Sequence, residues 1–330
     1  MLIKDLMQKN KIIGLQLAVV KEGKIIKTGN YGFANIQDSI AVDSKTVFSI
    51  NSITKAFTSV AIMQLVEKGK LNLEDPISKY LDSLPETWKN IKIKQLATHT
   101  SGIPDIWDAE GNILSDNSET LFKKVKEMPL DFQPGVEVRY NQTNFILLGK
   151  LIEKISEKSF ERFIKENQFE KAGMKHSIKA GIGAFGEIIY HSARPYYYSP
   201  NGVLTNVYQP MPDSLYPAGG IYSTATELAQ WVIALQNHTL FNAGSLKTLL
   251  SPIELKNGEV YETNNFLNRS SMGFSLSTNE KNPVIASLGG ARNVLFIYPK
   301  DNIAIVVLTN LMGSHPQDFM KEIANAYIAN

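Results

Sequence analysis

One stretch constrains this chain more than any other, the run from Phe48 to Gly69. From Thr54 onward it reads as a helix, with Gly69 placed to stop it as the first residue past the cap. Ala56, Phe57, Val60, Ala61, Ile62, Met63, Leu65 and Val66 make it apolar almost all round. Such a helix is enclosed on most sides rather than laid on a surface. The rest of the chain must therefore be built around it. With 330 residues, 43% of them hydrophobic, there is enough material for one large domain or two.

The mouth of that helix carries chemistry. Ser52 and Lys55 stand three apart and share a face. A serine hydroxyl is a poor nucleophile until a neighbouring base takes its proton. A lysine serves as that base only where burial or nearby positive charge favours its neutral form. The head of an enclosed helix supplies the burial, and its dipole favours a developing alkoxide. No other serine in the chain has a lysine three residues later. The pattern alone is also met as a capping serine beside a solvated lysine.

A net charge of only +2 and the lack of a basic run argue against nucleic acid or anionic membrane as partners. The longest apolar run, Ile303 to Leu308, is far too short to span a bilayer, so no transmembrane segment is expected. Met1 to Lys11 reads as a short amphipathic helix without the continuous apolar core of a signal peptide. The compartment stays open: cytoplasmic if Met1 is the native start, periplasmic or secreted if a leader has been removed. Zero cysteines exclude disulfides, thiolate zinc sites and cysteine nucleophiles.

Leu15–Lys21 and Lys24–Thr28 flank Glu22-Gly23 and predict a β-hairpin. Asp75-Pro76 predicts a helix start within Leu71–Leu81. Further helices are expected over Phe145–Ile155, Thr226–Leu235 and Gln317–Ile328. Asn257-Gly258 predicts a hairpin turn. Ser270–Ser277, Val284–Leu288, Val294–Tyr298 and Ile303–Thr309 predict antiparallel strands, the last two joined by Lys300-Asp301-Asn302. The aromatic Pro195–Pro200 segment fits a packed structural loop better than the wall of an acyl pocket. Strands at both ends with helices between imply one sheet built from both termini around a mostly helical insertion.

Several motifs are set aside. Gly181-Ile182-Gly183-Ala184-Phe185-Gly186 has the spacing of a dinucleotide loop, but no strand-to-helix turn or acidic residue in the right place. It reads as a glycine-rich surface loop. The five histidines, His99, His176, His191, His238 and His315, show no metal-binding spacing. No Gly-x-Ser-x-Gly elbow is present. Tyr140 is of interest because a phenol held near a lysine can relay a proton.

These residues carry a resemblance to the serine β-lactamase and penicillin-binding superfamily, in its branch of class C β-lactamases, D-Ala-D-Ala carboxypeptidases and family VIII esterases. Ser52-Ile53-Thr54-Lys55 resembles its Ser-x-x-Lys. Leu96-Ala97-Thr98-His99-Thr100-Ser101-Gly102-Ile103-Pro104 resembles its His-Thr-Ser-Gly segment. Pro134-Gly135, Tyr140 and Leu147-Leu148-Gly149 are similar to its Pro-Gly … Tyr-Ser-Asn … Leu-Leu-Gly segment, and Ala218-Gly219-Gly220-Ile221-Tyr222-Ser223-Thr224 to its Ala-Gly-Gly-Leu-x-Ser-Thr stretch. The similarity runs in order from about residue 12 to 327.

Two positions depart from that pattern. Tyr-x-Asn reads Tyr140-Asn141-Gln142, with the amide lengthened by one methylene. The third motif, Lys/His-Thr/Ser-Gly, falls on Ser287-Leu288-Gly289 and lacks its cationic or imidazole member. In a plain strand Arg292 points away from Ser287 and does not replace that cation.

The resemblance implies an α+β, β-lactamase-like fold with a discontinuous sheet domain (1–70 and 211–330), a helical insertion (71–210) and an active site between them. It implies catalysis by Ser52, Lys55 and Tyr140. Substrate binding would fall to Gln142, Ser287, Gly289 and Gly290, with the N–H groups of Ser52 and Gly290 as oxyanion hole. No cofactor or metal is implied, and the oligomeric state stays open. The expected activity is acyl-enzyme hydrolysis of small esters, amides or peptides, weaker on β-lactams. The alternatives are a catalytically silent penicillin-recognising module, or a true class C-type β-lactamase or D-Ala-D-Ala carboxypeptidase.

Overall fold

The computed structural model describes residues 1–108, 110–183, 187–208 and 211–328. An antiparallel eight-stranded sheet forms its frame. Its strands are β1 (Gly14–Lys21), β2 (Lys24–Asn35), β3 (Ile40–Ala41), β8 (Arg269–Ser270), β9 (Ser275–Ser277), β10 (Val284–Gly289), β11 (Asn293–Tyr298) and β12 (Ile303–Thr309). They run in the order β3-β2-β1-β12-β11-β10-β9-β8. The two ends of the chain meet at its centre, where Leu15 faces Thr309 and Lys21 faces Ile303. Two small pairs stand apart, β4 (Phe48–Ser49) with β7 (Tyr222–Ser223) and β5 (Tyr196–Tyr198) with β6 (Leu204–Asn206).

Twelve helices surround the strands among the described residues. Those that matter to the site are α2 (Thr54–Glu67), α5 (Gln142–Ser156), α9 (Tyr216–Gly219) and α10 (Ala225–Gln236). The terminal helices are α1 (Leu2–Lys9) and α12 (Met320–Asn325), and the remainder are α3 (Ile93–Ala97), α4 (Ser118–Glu127), α6 (Phe160–Ile164), α7 (Glu170–Ala172), α8 (Lys175–Ala180) and α11 (Ala243–Leu249). None is long and apolar enough to cross a membrane.

Every residue of β12 is buried because the sheet is covered on both faces. Side chains alternate, so Ile303, Ile305 and Val307 pack with Leu6, Met7, Met320 and Ile323 of α1 and α12. Ala304, Val306 and Leu308 pack on the other side, with α2 and α10. Helix α2 is the centre of that second layer, buried continuously from Thr54 to Leu65. Phe57 stacks on Trp231 of α10 at 4.2 Å and meets the edge of Phe169 at 6.0 Å. Polar side chains tie it to its surroundings: the Thr58 hydroxyl donates to Pro217 O, and the Gln64 Nε2 to Asn167 O and Leu240 O. Gly69, at φ +64°, ends the helix where expected.

The hairpin, the sheet built from both termini and the long helices follow the sequence reading, and the fold is α+β. Elsewhere local signals were overridden. Asp75-Pro76 does not start a long helix, because Pro76 is extended (ψ 145°) and only the turn Ile77–Lys79 follows. There Asp75 accepts from Lys79 and Tyr80 and closes the turn. The expected strand Ser270–Ser277 is a tight hairpin, whose residues Met272 and Phe274 drop into the core. The last helix is shorter than expected, with a separate turn over Pro316–Asp318 before it. At Asn257-Gly258 the turn forms, with a single Glu254–Val260 bridge in place of strands. Pro195–Pro200 contains β5. Tyr196 is buried there, its hydroxyl accepting from Ile36 N and donating to Gln37. Of the glycine-rich segment, Gly181 follows α8 and residues 184–186 lie outside the described residues.

Candidate active site

Ser52 does not lie in α2 itself. It sits in a single 3-10 turn, Asn51–Ile53, that runs into the first residue of the helix. The turn is pressed against the end of β10. A Cβ on Gly289 would lie 2.1 Å from Ile50 O, and one on Gly290, whose φ is +59°, 2.9 Å from the Asn51 side chain. Only glycine lets the strand come this close. The far side is stitched by side chains: Asn51 Oδ1 accepts from Arg292 Nε at 2.9 Å, and Asn293 donates to Ser49 O at 2.9 Å.

The opposite wall arises from the segment that precedes α5. Asn141 caps that helix, accepting from Asn144 N and donating to Ile103 O. Asp105 accepts the N–H of Gln142 at 2.8 Å, and Thr143 donates to Pro104 O. Ser101 donates to Asn144, and the N–H of Gly135 reaches Thr100 O. Residues 98–105 and 131–144 are thus laced together, and the lacing aims Tyr140 and Gln142 at the turn bearing Ser52. Burial raises the Asp105 carboxyl above its ordinary range, against the lowering effect of the N–H groups it accepts. His99, enclosed between the rings of Tyr140 and Phe145 with Lys55 nearby, is lowered to about 3 and stays neutral.

Around Ser52 Oγ the contacts converge. Tyr140 Oη donates to it at 2.7 Å, and Lys55 Nζ lies 3.4 Å away. Lys55 is buried and its Nζ also donates to Gln142 Oε1 at 2.7 Å and to Ala218 O at 2.8 Å. An amine nitrogen has four directions, one of them taken by its bond to Cε. With two N–H groups spent on carbonyl oxygens, the fourth direction faces the serine, as a lone pair when the amine is neutral and as a donor when it is charged. The ammonium site also lies 4.8 Å from the centre of the Tyr140 ring.

Beside this cluster opens a cavity of about 190 Å³ lined by Ser52, Gln142 and Gly290, with Trp107, Met211, Leu215 and Met312 supplying apolar walls. No charged side chain lines it among the described residues. Ser52, Lys55, Tyr140, Gln142 and Gly290 are therefore brought together, with Gly289 directly behind. Ser287 is not part of the lining. It lies on the face of β10 shared with Ile285, toward α2, but is buried. Leu288 turns the other way and packs with the layer of α1 and α12.

The plain strand assumed for Arg292 is not what forms, although Arg292 still does not line the cavity. The strand does not run straight through it: β10 ends at Gly289, and Gly290 and Ala291 both take positive φ before β11 begins. The turn swings Arg292 back toward residues 49–51, where burial lowers it to about 10 and it holds Asn51. Sequence reasoning also missed Asn51, Asp105 and the cavity walls. His99 and Asp105 lay inside or beside a recognisable segment, but Trp107, Met211 and Met312 carried no signal.

The Beta-lactamase family model matches residues 1–330.

The chain belongs to the β-lactamase family.

It is similar to a putative penicillin-binding protein of Bacillus subtilis, 33% identical over 71% of this chain and 58% of the relative. It is also similar to protein flp of Staphylococcus aureus, 28% identical over 98% of this chain and 64% of that protein. The chain thus spans about 64% of the length of that curated relative. Among solved structures, a penicillin-binding protein from Bacillus halodurans superposes with a TM-score of 0.78 at 29% identity, covering 98% of this chain and 99% of the other. A D-amino acid amidase from Ochrobactrum anthropi shares the fold, with a TM-score of 0.81 at 17% identity over 98% and 97% of the two chains. This family of β-lactamase-fold proteins is of serine-hydrolase type.

Proposed function

We propose that the chain hydrolyses small uncharged esters or amides through an acyl-enzyme on Ser52. The single observation that carries this reading is the convergence of Tyr140 Oη and Lys55 Nζ on one serine oxygen. In the first step Ser52 Oγ bonds to the substrate carbonyl carbon. Its proton passes to the Lys55–Tyr140 pair and then to the departing alcohol or amine. The 3.4 Å separation from Lys55 is long for a hydrogen bond, and such contacts tighten when substrate binds. The N–H groups of Ser52 and Gly290 receive the oxyanion. Water, activated by the same pair, then attacks the acyl carbon, releasing the acid and returning the proton to Ser52. Gln142 both steadies Lys55 and presents its amide to the acyl group. The site would lie between a sheet-bearing part, residues 1–70 and 211–330, and the insertion 71–210.

The substrate class follows from the lining. Penicillins and D-Ala-terminated peptides carry a carboxylate, and a hydrogen bond to a charged group contributes about 1.5–3 kcal/mol. With Ser287 in place of the family's cation and no charged group on the cavity wall among the described residues, that contribution is missing. A neutral ester loses nothing by it. The altered third motif also favours a second reading, a silent module that binds peptides without turnover.

Intact-mass analysis after treatment with a fluorophosphonate, and separately with a penicillin, discriminates between these readings. A fluorophosphonate adduct that disappears in Ser52→Ala, with hydrolysis of short p-nitrophenyl esters exceeding that of penicillins, is expected. No adduct and no turnover would favour the silent module. Efficient penicillin turnover without esterase activity would reverse the substrate assignment.

A further inference from the structure

We propose that His99 is a positioning residue that holds Tyr140 over Ser52. The proposal rests on the reading of Ser52 as nucleophile and Tyr140 as its partner. His99 touches the Tyr140 segment at three points. Its carbonyl oxygen accepts the N–H of Arg139 at 3.0 Å, its Nδ1 accepts the N–H of Asn141 at 3.1 Å, and its ring lies 4.8 Å from that of Tyr140. The residues immediately before and after the tyrosine are thus both tied to one histidine, while the ring between them leans on its imidazole.

The backbone explains how one residue reaches both flanks. His99 takes φ +59°, a left-handed conformation uncommon for a side chain of its size. That turn brings its carbonyl and its imidazole to the same neighbouring segment. The clamp needs an imidazole whose Nδ1 is an acceptor, with the ring proton on Nε2. Burial and the Lys55 charge keep the ring neutral, which preserves that acceptor.

Tyr140 needs such a clamp. The residue is 52% exposed, it precedes α5 rather than belonging to it, and its hydroxyl must stay within hydrogen-bond reach of Ser52. Little else restrains its ring: the Lys55 ammonium lies 4.8 Å from its centre. A displacement of about 1 Å at a catalytic group can cost roughly 100-fold in rate.

The test compares His99→Gly with His99→Asn in the full chain. Both tolerate a left-handed backbone, but only asparagine offers an acceptor near the place of Nδ1. Two signals are read: steady-state hydrolysis of a p-nitrophenyl ester, and the ¹³Cζ resonance of Tyr140 in tyrosine-labelled protein, assigned by its loss in Tyr140→Phe. His99→Gly is expected to slow turnover about 10- to 100-fold while KM stays within about twofold. It should also broaden or shift the Tyr140 resonance. His99→Asn should recover most of the rate and return the resonance toward its original position. An unchanged Tyr140 resonance in His99→Gly would overturn the proposal, and so would equal impairment of the two variants. If the unmodified protein shows no Ser52-dependent turnover, the proposed reaction fails, and the resonance alone then decides whether His99 holds the tyrosine.

Discussion

Lys55 is surrounded in a way that no single contact explains. Two carbonyl oxygens take two of its protons, and the serine receives whatever remains in the last direction. If that arrangement works with Tyr140 as one unit, removing a second member costs little once the first is gone. Ser52→Ala and Ser52→Ala/Lys55→Ala are therefore expected to be equally inactive within about threefold, as members of a catalytic unit are non-additive. Hydrolysis rates that fall stepwise and independently would count against the unit. At the strand side, Gly289→Ala would set a methyl group 2.1 Å from Ile50 O. The strand must then move away from the turn that bears Ser52. The displaced oxyanion donor is expected to slow turnover by at least about tenfold, and overpacking to remove about 1–3 kcal/mol of stability. Enzyme kinetics and urea denaturation on one preparation check both.

Helix α2 anchors the turn that bears Ser52 because it is buried almost along its whole length. Phe57, one turn past Ser52, fills the space between α10 and Phe169. Phe57→Ala is expected to cost about 3–5 kcal/mol in urea unfolding. Helix α5 depends instead on its cap. Asn141 is buried and makes two side-chain hydrogen bonds, so Asn141→Ala should cost about 1–2 kcal/mol and slow turnover, because the cap sits beside Tyr140. A variant that loses stability with its turnover intact would separate the cap from the site. The two helices were legible in the sequence for different reasons, α2 from its unbroken apolar surface and α5 from its apolar run after a polar start. The 3-10 turn that carries Ser52 was not legible. Its geometry depends on β10 and β11 pressing on it, and those strands lie more than 230 residues away.

At the scale of the whole molecule, acid stability should carry the signature of His99, half-buried against Tyr140 and Phe145. His99 is held at about 3 against an ordinary 6.5, so between those values the unfolded chain binds a proton that the native state refuses. Its contribution to stability is fully present above pH 6.5 and falls as the pH drops toward 3, with a slope of at most about 1.4 kcal/mol per pH unit. Asp105, raised above its ordinary 3.8, acts in the opposite sense at the low end of this range. Urea midpoints at pH 7, 6 and 5 should therefore decline for the unmodified protein and decline less for His99→Asn. Parallel declines would show that His99 titrates normally.

What the sequence determined by itself is what local spacing encodes. Three-residue spacing put Ser52 and Lys55 on one face, period-two runs made the sheet, and the similarity of ordered segments specified the family fold. Only the tertiary structure decided which groups line the cavity and which way the third motif faces. Alternation predicts a side chain's direction only while a strand continues. At Gly290-Ala291 two left-handed residues break it, returning Arg292 to the site side as a support for Asn51. Trp107, Met211 and Met312 meet across long stretches of chain, because packing brings together surfaces that no local pattern relates.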